Sequence, residues 1–272
     1  MTGIVVVTGA AGAMGAACAR VLAPGADRLV LTDVDEERLH EVAASIGGSV
    51  PVVADLSDPA AVDALVGTAA ELGQLAALVH TAGLSPTMAG WREILRVDLV
   101  AVARMLDGFT PLVVPGTVAV CLASIAGHLG EFDPAMDALL DDPCEPDVEA
   151  RFAGLVGSEP DPGATYRLAK RGVIRLCAAT AVGWGARGGR VVSLSPGLID
   201  TAMGRLELEH QPVKQWMAEL TPVRRGEYAV LPGRVEDIAA AVAFVCSDAA
   251  AFVSGCDLRV DGGLVAAMSH TS

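Results

Sequence analysis

Tyrosine and lysine each occur only twice in the 272 residues, yet one of each falls in Tyr166-Arg-Leu-Ala-Lys170. Chance would give this spacing in about one such chain in a hundred. Four residues apart on a helix, the two side chains share a face. An ammonium beside a phenol favours the phenolate, so Tyr166 is expected below its ordinary pKa of about 10. A phenol tuned in this way takes a proton from an alcohol or gives one to a ketone. The plainer alternative is an exposed Tyr–Lys pair on a helix surface.

A second constellation lies near the start. Thr8-Gly9-Ala10-Ala11-Gly12-Ala13-Met14-Gly15 follows an apolar run and leads into a segment of helical periodicity. Small residues let the backbone turn sharply and approach a pyrophosphate, and a helix N-terminus offers unpaired N–H groups and a positive dipole end. Among 30 glycines the spacing alone is weak, and its strand–turn–helix setting gives it weight. Asp33 ends the next apolar run. A carboxylate about 20 residues past the glycines accepts hydrogen bonds from the adenosine ribose hydroxyls. It would repel a 2′-phosphate, and no arginine follows it directly, so NAD is expected rather than NADP. The competing reading of Asp33 is a strand end or a cap for the helix near Glu36. Asp55 ends a third run, where it would contact adenine or cap the helix near Pro59.

These groups need a scaffold that gathers strand ends. Apolar runs at residues 4–8, 29–33, 50–54, 77–80, 117–122, 191–194 and 258–260 alternate with helical patterns at 14–23, 36–44, 60–72 and 93–106. Short runs without a polar face read as strands buried on both sides, and the alternation implies right-handed crossovers. The fold class expected is α/β, a Rossmann-type doubly wound parallel sheet, as a single domain over residues 1–272 with a small helical insert. The insert, residues 128–164, holds ten acids against the single base Arg151, which is −9 of the net charge of −14. Apolar spacing within it predicts helices at 133–140 and 146–156, since a structureless loop of that length is unusual in a compact domain. The acidic balance argues against nucleic-acid and anionic-membrane partners. No apolar run is long enough to span a bilayer, no secretory leader is evident, and the six cysteines are scattered, most of them in apolar segments; a cytoplasmic protein without a metal site is expected.

Taken together, these residues resemble the short-chain dehydrogenase/reductase family over almost the whole chain. The resemblance also rests on Thr81-Ala82-Gly83, Ser124-Ile-Ala-Gly127, Ser195-Pro196-Gly197-Leu-Ile-Asp-Thr201 and Asp257-Leu-Arg-Val-Asp261-Gly-Gly263. It implies that Ser124 binds the substrate oxygen, that Tyr166 transfers the proton, and that Lys170 holds the nicotinamide ribose and tunes Tyr166. It further implies a cofactor lining of Gly9, Gly12, Ala13, Met14, Gly15, Asp33, Asp55, Leu56, Thr81, Ala82, Gly83, Pro196, Gly197, Ile199 and Thr201. Three departures stand out. The glycine loop reads TGxxGxxG, a spacing of the family's extended branch. Asp98 stands where an Asn often supports a proton relay; ionised, it would hold Lys170 as a cation. The Ser124–Tyr166 interval is long, resembling hydroxysteroid dehydrogenase/carbonyl reductase members with an insert before the catalytic Tyr.

The expected activity is therefore interconversion of a secondary alcohol and a ketone with NAD, on a mainly apolar, alicyclic or steroid-like substrate. Residues 198–234 would form one wall of its site, with Leu84, Ser85 and Pro86 on another side and no Lys or Arg placed to clamp an anion. A homo-oligomer is expected, a dimer through the last strand and helix with a tetramer as the alternative, because the insert would obstruct the surface used by related dimers. The other uses open to the insert are a lid over the crevice and a solvated segment with no part in turnover. Two rival functions remain: a nucleotide-sugar epimerase or lyase with tightly held NAD, and a non-enzymatic NAD sensor or scaffold.

Overall fold

With no polar face to offer water, the apolar runs become covered strands. β1 (Ile4–Thr8), β4 (Leu75–His80) and β5 (Val118–Leu122) are buried at every position. Joined by β2 (Arg28–Asp33), β3 (Ser49–Val53), β6 (Arg190–Pro196) and β7 (Asp257–Val260), they make a wholly parallel sheet of seven strands in the order β3-β2-β1-β4-β5-β6-β7. The winding reverses between β1 and β4, and ligands bind such sheets at the carboxyl ends beside that switch. The computed structural model describes residues 2–130, 133–225 and 230–270.

Alternate side chains of each strand face opposite layers. Val5, Val7, Leu29 and Leu31 pack with α1 (Ala13–Leu22), α2 (Glu36–Ile46) and α11 (Val235–Cys246). Ile4, Val6, Val30 and Leu78 pack with α3 (Pro59–Leu72), α5 (Ala101–Phe109) and α8 (Pro162–Gly185). A smaller apolar cluster, including Ile125, Leu198, Met217 and Leu264, lies under α9 (Ala202–His210), α10 (Pro212–Leu220) and α12 (Leu264–His270). The doubly wound α/β fold is the one expected, and each strand falls within two residues of its predicted limits.

One expectation is corrected. The helix predicted over 93–106 is α4 (Trp91–Leu95), a wide π turn at Arg96–Val100, and then α5. A π turn adds a residue to the coil and commonly marks a functional position; here it carries Asp98.

The insert forms α6 (Pro134–Asp141) and α7 (Val148–Val156). Asp133 caps α6, accepting from Ala135 N at 2.7 Å, and Asp161 caps α8, accepting from Ala164 N at 2.8 Å, each with proline at the next position. Met136, Leu139, Leu140 and Phe152 join the core on the α8 side, and Phe152 stacks on Trp91 with centroids 6.1 Å apart. Three of the acids are met by arginines. Asp137 accepts from Arg171 at 2.6 and 2.7 Å and from Arg175 at 3.1 Å; Asp141 accepts from Arg175 at 2.7 and 2.6 Å; Glu149 accepts from Arg96 at 2.5 Å. Glu131, counted among those acids, lies outside the described residues. Cys18, Cys121, Cys177 and Cys246 are buried, whereas Cys144 and Cys256 are exposed. Among the described residues no helix is long and apolar enough to cross a membrane.

Candidate active site

The chain leaves β1 through a turn that only glycine permits at two points. Gly9 sits at φ +63°, and a Cβ there would lie 2.6 Å from Ala82 N. A Cβ on Gly15 would stand 2.1 Å from the Gly9 carbonyl oxygen. Gly12 is the N-cap of α1 and supplies no side-chain acceptor, so no cap side chain takes up the N–H groups of the first turn. A cradle with those donors and no Cβ in the way fits a pyrophosphate. Thr81 anchors it from β4: its hydroxyl donates to the Thr8 carbonyl at 2.7 Å, and its N–H donates to the Thr8 hydroxyl at 3.2 Å.

Asp33 belongs to this cradle. Its Oδ2 accepts from Ala11 N at 2.9 Å and its Oδ1 from Asp35 N at 3.2 Å. The cap of α2 is Asp35, accepting from Arg38 N at 3.1 Å, so the capping alternative for Asp33 does not hold. Likewise α3 is capped by Asp58, through Ala60 N at 2.9 Å, while Asp55 accepts from Ser57 N at 2.9 Å within its own turn. The neighbouring Leu56 has its side chain buried in the core. At the end of β6, Pro196 and Gly197 press against β7, where a Cβ on Gly197 would be 2.7 Å from Asp261 Cα. Ile199 is buried, and Thr201 caps α9 by accepting from Gly204 N at 2.9 Å.

The first turns of α8 bring Tyr166 and Lys170 beneath the ends of β4 and β5. Lys170 Nζ lies 5.5 Å from the Tyr166 ring centroid, 3.0 Å from Asp98 Oδ2 and 3.3 Å from the Leu122 carbonyl oxygen, to which it donates. Asp98 Oδ1 accepts from Leu84 N at 2.7 Å, which ties the π turn to the loop after β4. Gly83 makes room for this pair, since a Cβ there would stand 3.1 Å from Lys170 Nζ. Ser124 ends β5. Its Oγ accepts from Ala126 N at 3.1 Å, and the side chain favours the ionised form of Tyr166. The four expected catalytic residues, Ser124, Tyr166, Lys170 and Asp98, thus form one cluster at the carboxyl edge of the sheet.

Its electrostatics correct the sequence expectation for Tyr166. Burial pushes the phenol above its ordinary value, Lys170 only partly offsets this, and the charge of Asp98 works against Lys170. The ammonium expected to draw the phenol down is already matched by a carboxylate 3.0 Å away. Burial likewise pushes Asp98 up, against the pull of Lys170 and the Leu84 N–H, while at Lys170 the desolvation is outweighed by Asp98 together with Tyr166, so its pKa is raised.

Two further groups escaped the sequence pattern. His128, in the turn after Ser124, has Nε2 2.8 Å from Asp257 Oδ2 and 3.2 Å from Ser195 Oγ, and Asp257 Oδ1 accepts from Ser193 at 2.6 Å and Ser195 at 3.0 Å. This network fixes the Ser124 turn to β6 and β7. On the opposite wall, Glu207 of α9 meets Ser85 and Lys214. No spacing signals either group, because each is assembled from segments far apart in the chain.

Comparison with known proteins agrees with this geometry. Residues 3–135 match a family model described as short chain dehydrogenase, and residues 151–265 match one described as enoyl-(acyl carrier protein) reductase. The cis-4-hydroxycyclohexanecarboxylate dehydrogenase of Sinomonas cyclohexanicum is 32% identical, over 97% of this chain and 96% of that protein. The meso-2,3-butanediol dehydrogenase of Serratia marcescens is also 32% identical, over 97% and 94%. A solved 7α-hydroxysteroid dehydrogenase, complexed with NADH and 7-oxo glycochenodeoxycholic acid, shares the fold with a TM-score of 0.76 at 22% identity, over 96% of this chain and 93% of that one.

Proposed function

The chain belongs to the short-chain dehydrogenase/reductase family, and from that premise we propose that it interconverts a secondary alcohol and a ketone with NAD(H). The observation that carries the reading is Tyr166 set one helical turn from Lys170, whose ammonium lies 5.5 Å from the phenol ring and is paired with the buried Asp98. When bound, the nicotinamide ring supplies or accepts the hydride. The chain's own residues do the rest. Ser124 donates a hydrogen bond to the substrate oxygen, and Tyr166 gives or takes the proton on that oxygen. Lys170, held as a cation by Asp98, presents donors to the nicotinamide ribose and steadies the phenolate as it forms. Because Lys170 is so firmly protonated, we assign it to charge stabilisation and ribose binding rather than to passing protons onward.

The preference for NAD rests on Asp33, which stands at the glycine loop with Glu36 and Glu37 in the next helical turn. A 2′-phosphate would meet these carboxylates. For the substrate we propose a mainly apolar carbon skeleton, on the scale of an alicyclic ring, against Ile125, Leu198, Met217 and Leu231. The relatives named for a hydroxycyclohexane acid and a butanediol support a small secondary alcohol. For assembly we propose a homodimer through the edge at β7, since the insert covers α4 and α8 while Phe252 beside β7 is fully exposed, at 106%.

The test is nicotinamide absorbance with NAD and with NADP across a panel of secondary alcohols and ketones. Faster turnover with NAD is expected. Faster turnover with NADP would remove the Asp33 assignment, and cofactor retained without net turnover would favour an epimerase.

A further inference from the structure

One buried carboxylate has no part in the chemistry above. Asp257 of β7 has its side chain only 8% exposed. Its Oδ1 accepts from the hydroxyls of Ser193 and Ser195 on β6, both fully buried, and its Oδ2 lies 2.8 Å from His128 Nε2. A carboxylate only accepts, so Nε2 carries the hydrogen, which is shared with Ser195 Oγ at 3.2 Å.

His128 is the far end of the turn that begins at Ser124. The turn, Ile125–His128, closes on Ser124 itself: Ala126 N donates to its Oγ at 3.1 Å, and Gly127 N donates to its carbonyl oxygen at 3.0 Å. Whatever rotates the turn therefore re-aims the Ser124 hydroxyl. Three contacts hold it. Ile125 is buried in the apolar cluster under α9, α10 and α12. Gly127 lies against α8, where a Cβ would stand 2.8 Å from the Lys170 carbonyl carbon. His128 supplies the polar tie, to β6 and β7. Apolar packing has no direction, whereas a hydrogen bond to a carboxylate does. We propose that His128, acting through Asp257, is a positioning residue that sets the aim of the Ser124 hydroxyl at the reacting oxygen. The assignment rests on the alcohol–ketone reading above, in which Ser124 binds that oxygen. A side chain that keeps an N–H where Nε2 stands should keep the rate, and one that does not should lose rate without losing cofactor. Glutamine carries its amide nitrogen about as far out as Nε2, while asparagine reaches only as far as Nδ1.

The experiment measures kcat and KM for the fastest secondary alcohol of the panel above, and calorimetric NAD binding, in the intact enzyme, His128→Gln, His128→Asn and His128→Phe, each also combined with Ser124→Ala. His128→Asn and His128→Phe are expected to lower kcat by roughly ten- to a hundredfold, the scale for a reacting group displaced by about 1 Å, with NAD affinity unchanged. His128→Gln should recover most of that loss. Beside Ser124→Ala none of the three should lower kcat further, because His128 acts through that hydroxyl; a merely structural loss would multiply. Unaltered kcat in His128→Asn and His128→Phe, equal losses in His128→Gln and His128→Asn, or a loss that persists beside Ser124→Ala would overturn the assignment while leaving the alcohol–ketone reading in place. Full activity in Ser124→Ala would overturn it too. Should His128→Asn or His128→Phe fail to fold, the other decides by the same comparisons. No turnover of any secondary alcohol or ketone by the intact enzyme, with either cofactor, overturns both.

Discussion

At the scale of single residues the chemistry turns on which charge Lys170 serves. With burial holding the Tyr166 phenol above its ordinary value, the base form is scarce at neutral pH. Phenolate is populated as pH rises, so alcohol oxidation should climb with pH, about tenfold per unit below the pKa, while ketone reduction, which uses the protonated phenol, stays flat. Asp98→Asn keeps an acceptor for Leu84 N and releases the Lys170 charge to Tyr166. The oxidation profile of that variant should shift to lower pH, and an unmoved profile would show that Asp98 does not govern the phenol. Asp98→Ala instead strands a buried ammonium and should cost about 3–5 kcal/mol in denaturant unfolding. The Tyr166–Lys170 pair was legible because both residue types are rare. The hold of Asp98 on Lys170 followed from the family resemblance, but the upward push on the phenol did not, because its largest cause is burial, which only the folded packing sets.

Among the elements, the strands were the easiest to read, since a short apolar run buried on both faces leaves few other structures open to it. The π turn at Arg96–Val100 was hidden because its apolar pattern is still helical; what distinguishes it, the reach of Asp98 to Leu84 N and Lys170, is tertiary. The glycine loop makes a steric prediction. Gly15→Ala places a methyl 2.1 Å from the Gly9 carbonyl oxygen and must reshape the cradle, so cofactor affinity measured by fluorescence quenching should fall well before fold stability does. The insert makes an electrostatic one. Its acids were plain in the sequence, but their arginine partners on the π turn and α8 were not. Arg171 holds the Asp137 carboxyl below the usual carboxylate range. A depressed pKa of this kind stabilises the fold above the unfolded value and is lost as pH falls through the folded one, so below about pH 4 the α6–α8 seam should loosen. Hydrogen exchange of α6 should rise in that window, and Asp137→Asn should bring the same loosening to neutral pH, at about 1–3 kcal/mol for the charged hydrogen bonds lost.

For the whole molecule, the net charge of −14 is mostly the insert, and that charge faces arginines rather than solvent alone. The face of α4 and α8 is thereby occupied within the chain. Light scattering should report a dimer, and Phe252→Asp at the β7 edge should shift it towards monomer. The sheet, the insert and the loops after β4, β5 and β6 all converge on Tyr166, so the most direct measurement is nicotinamide reduction by the intact enzyme and by Tyr166→Phe, beside calorimetric NAD binding to both. Turnover of a secondary alcohol with NAD that falls by about a hundred- to ten-thousandfold in Tyr166→Phe, with NAD affinity retained, is the predicted result. Full activity in Tyr166→Phe would contradict it.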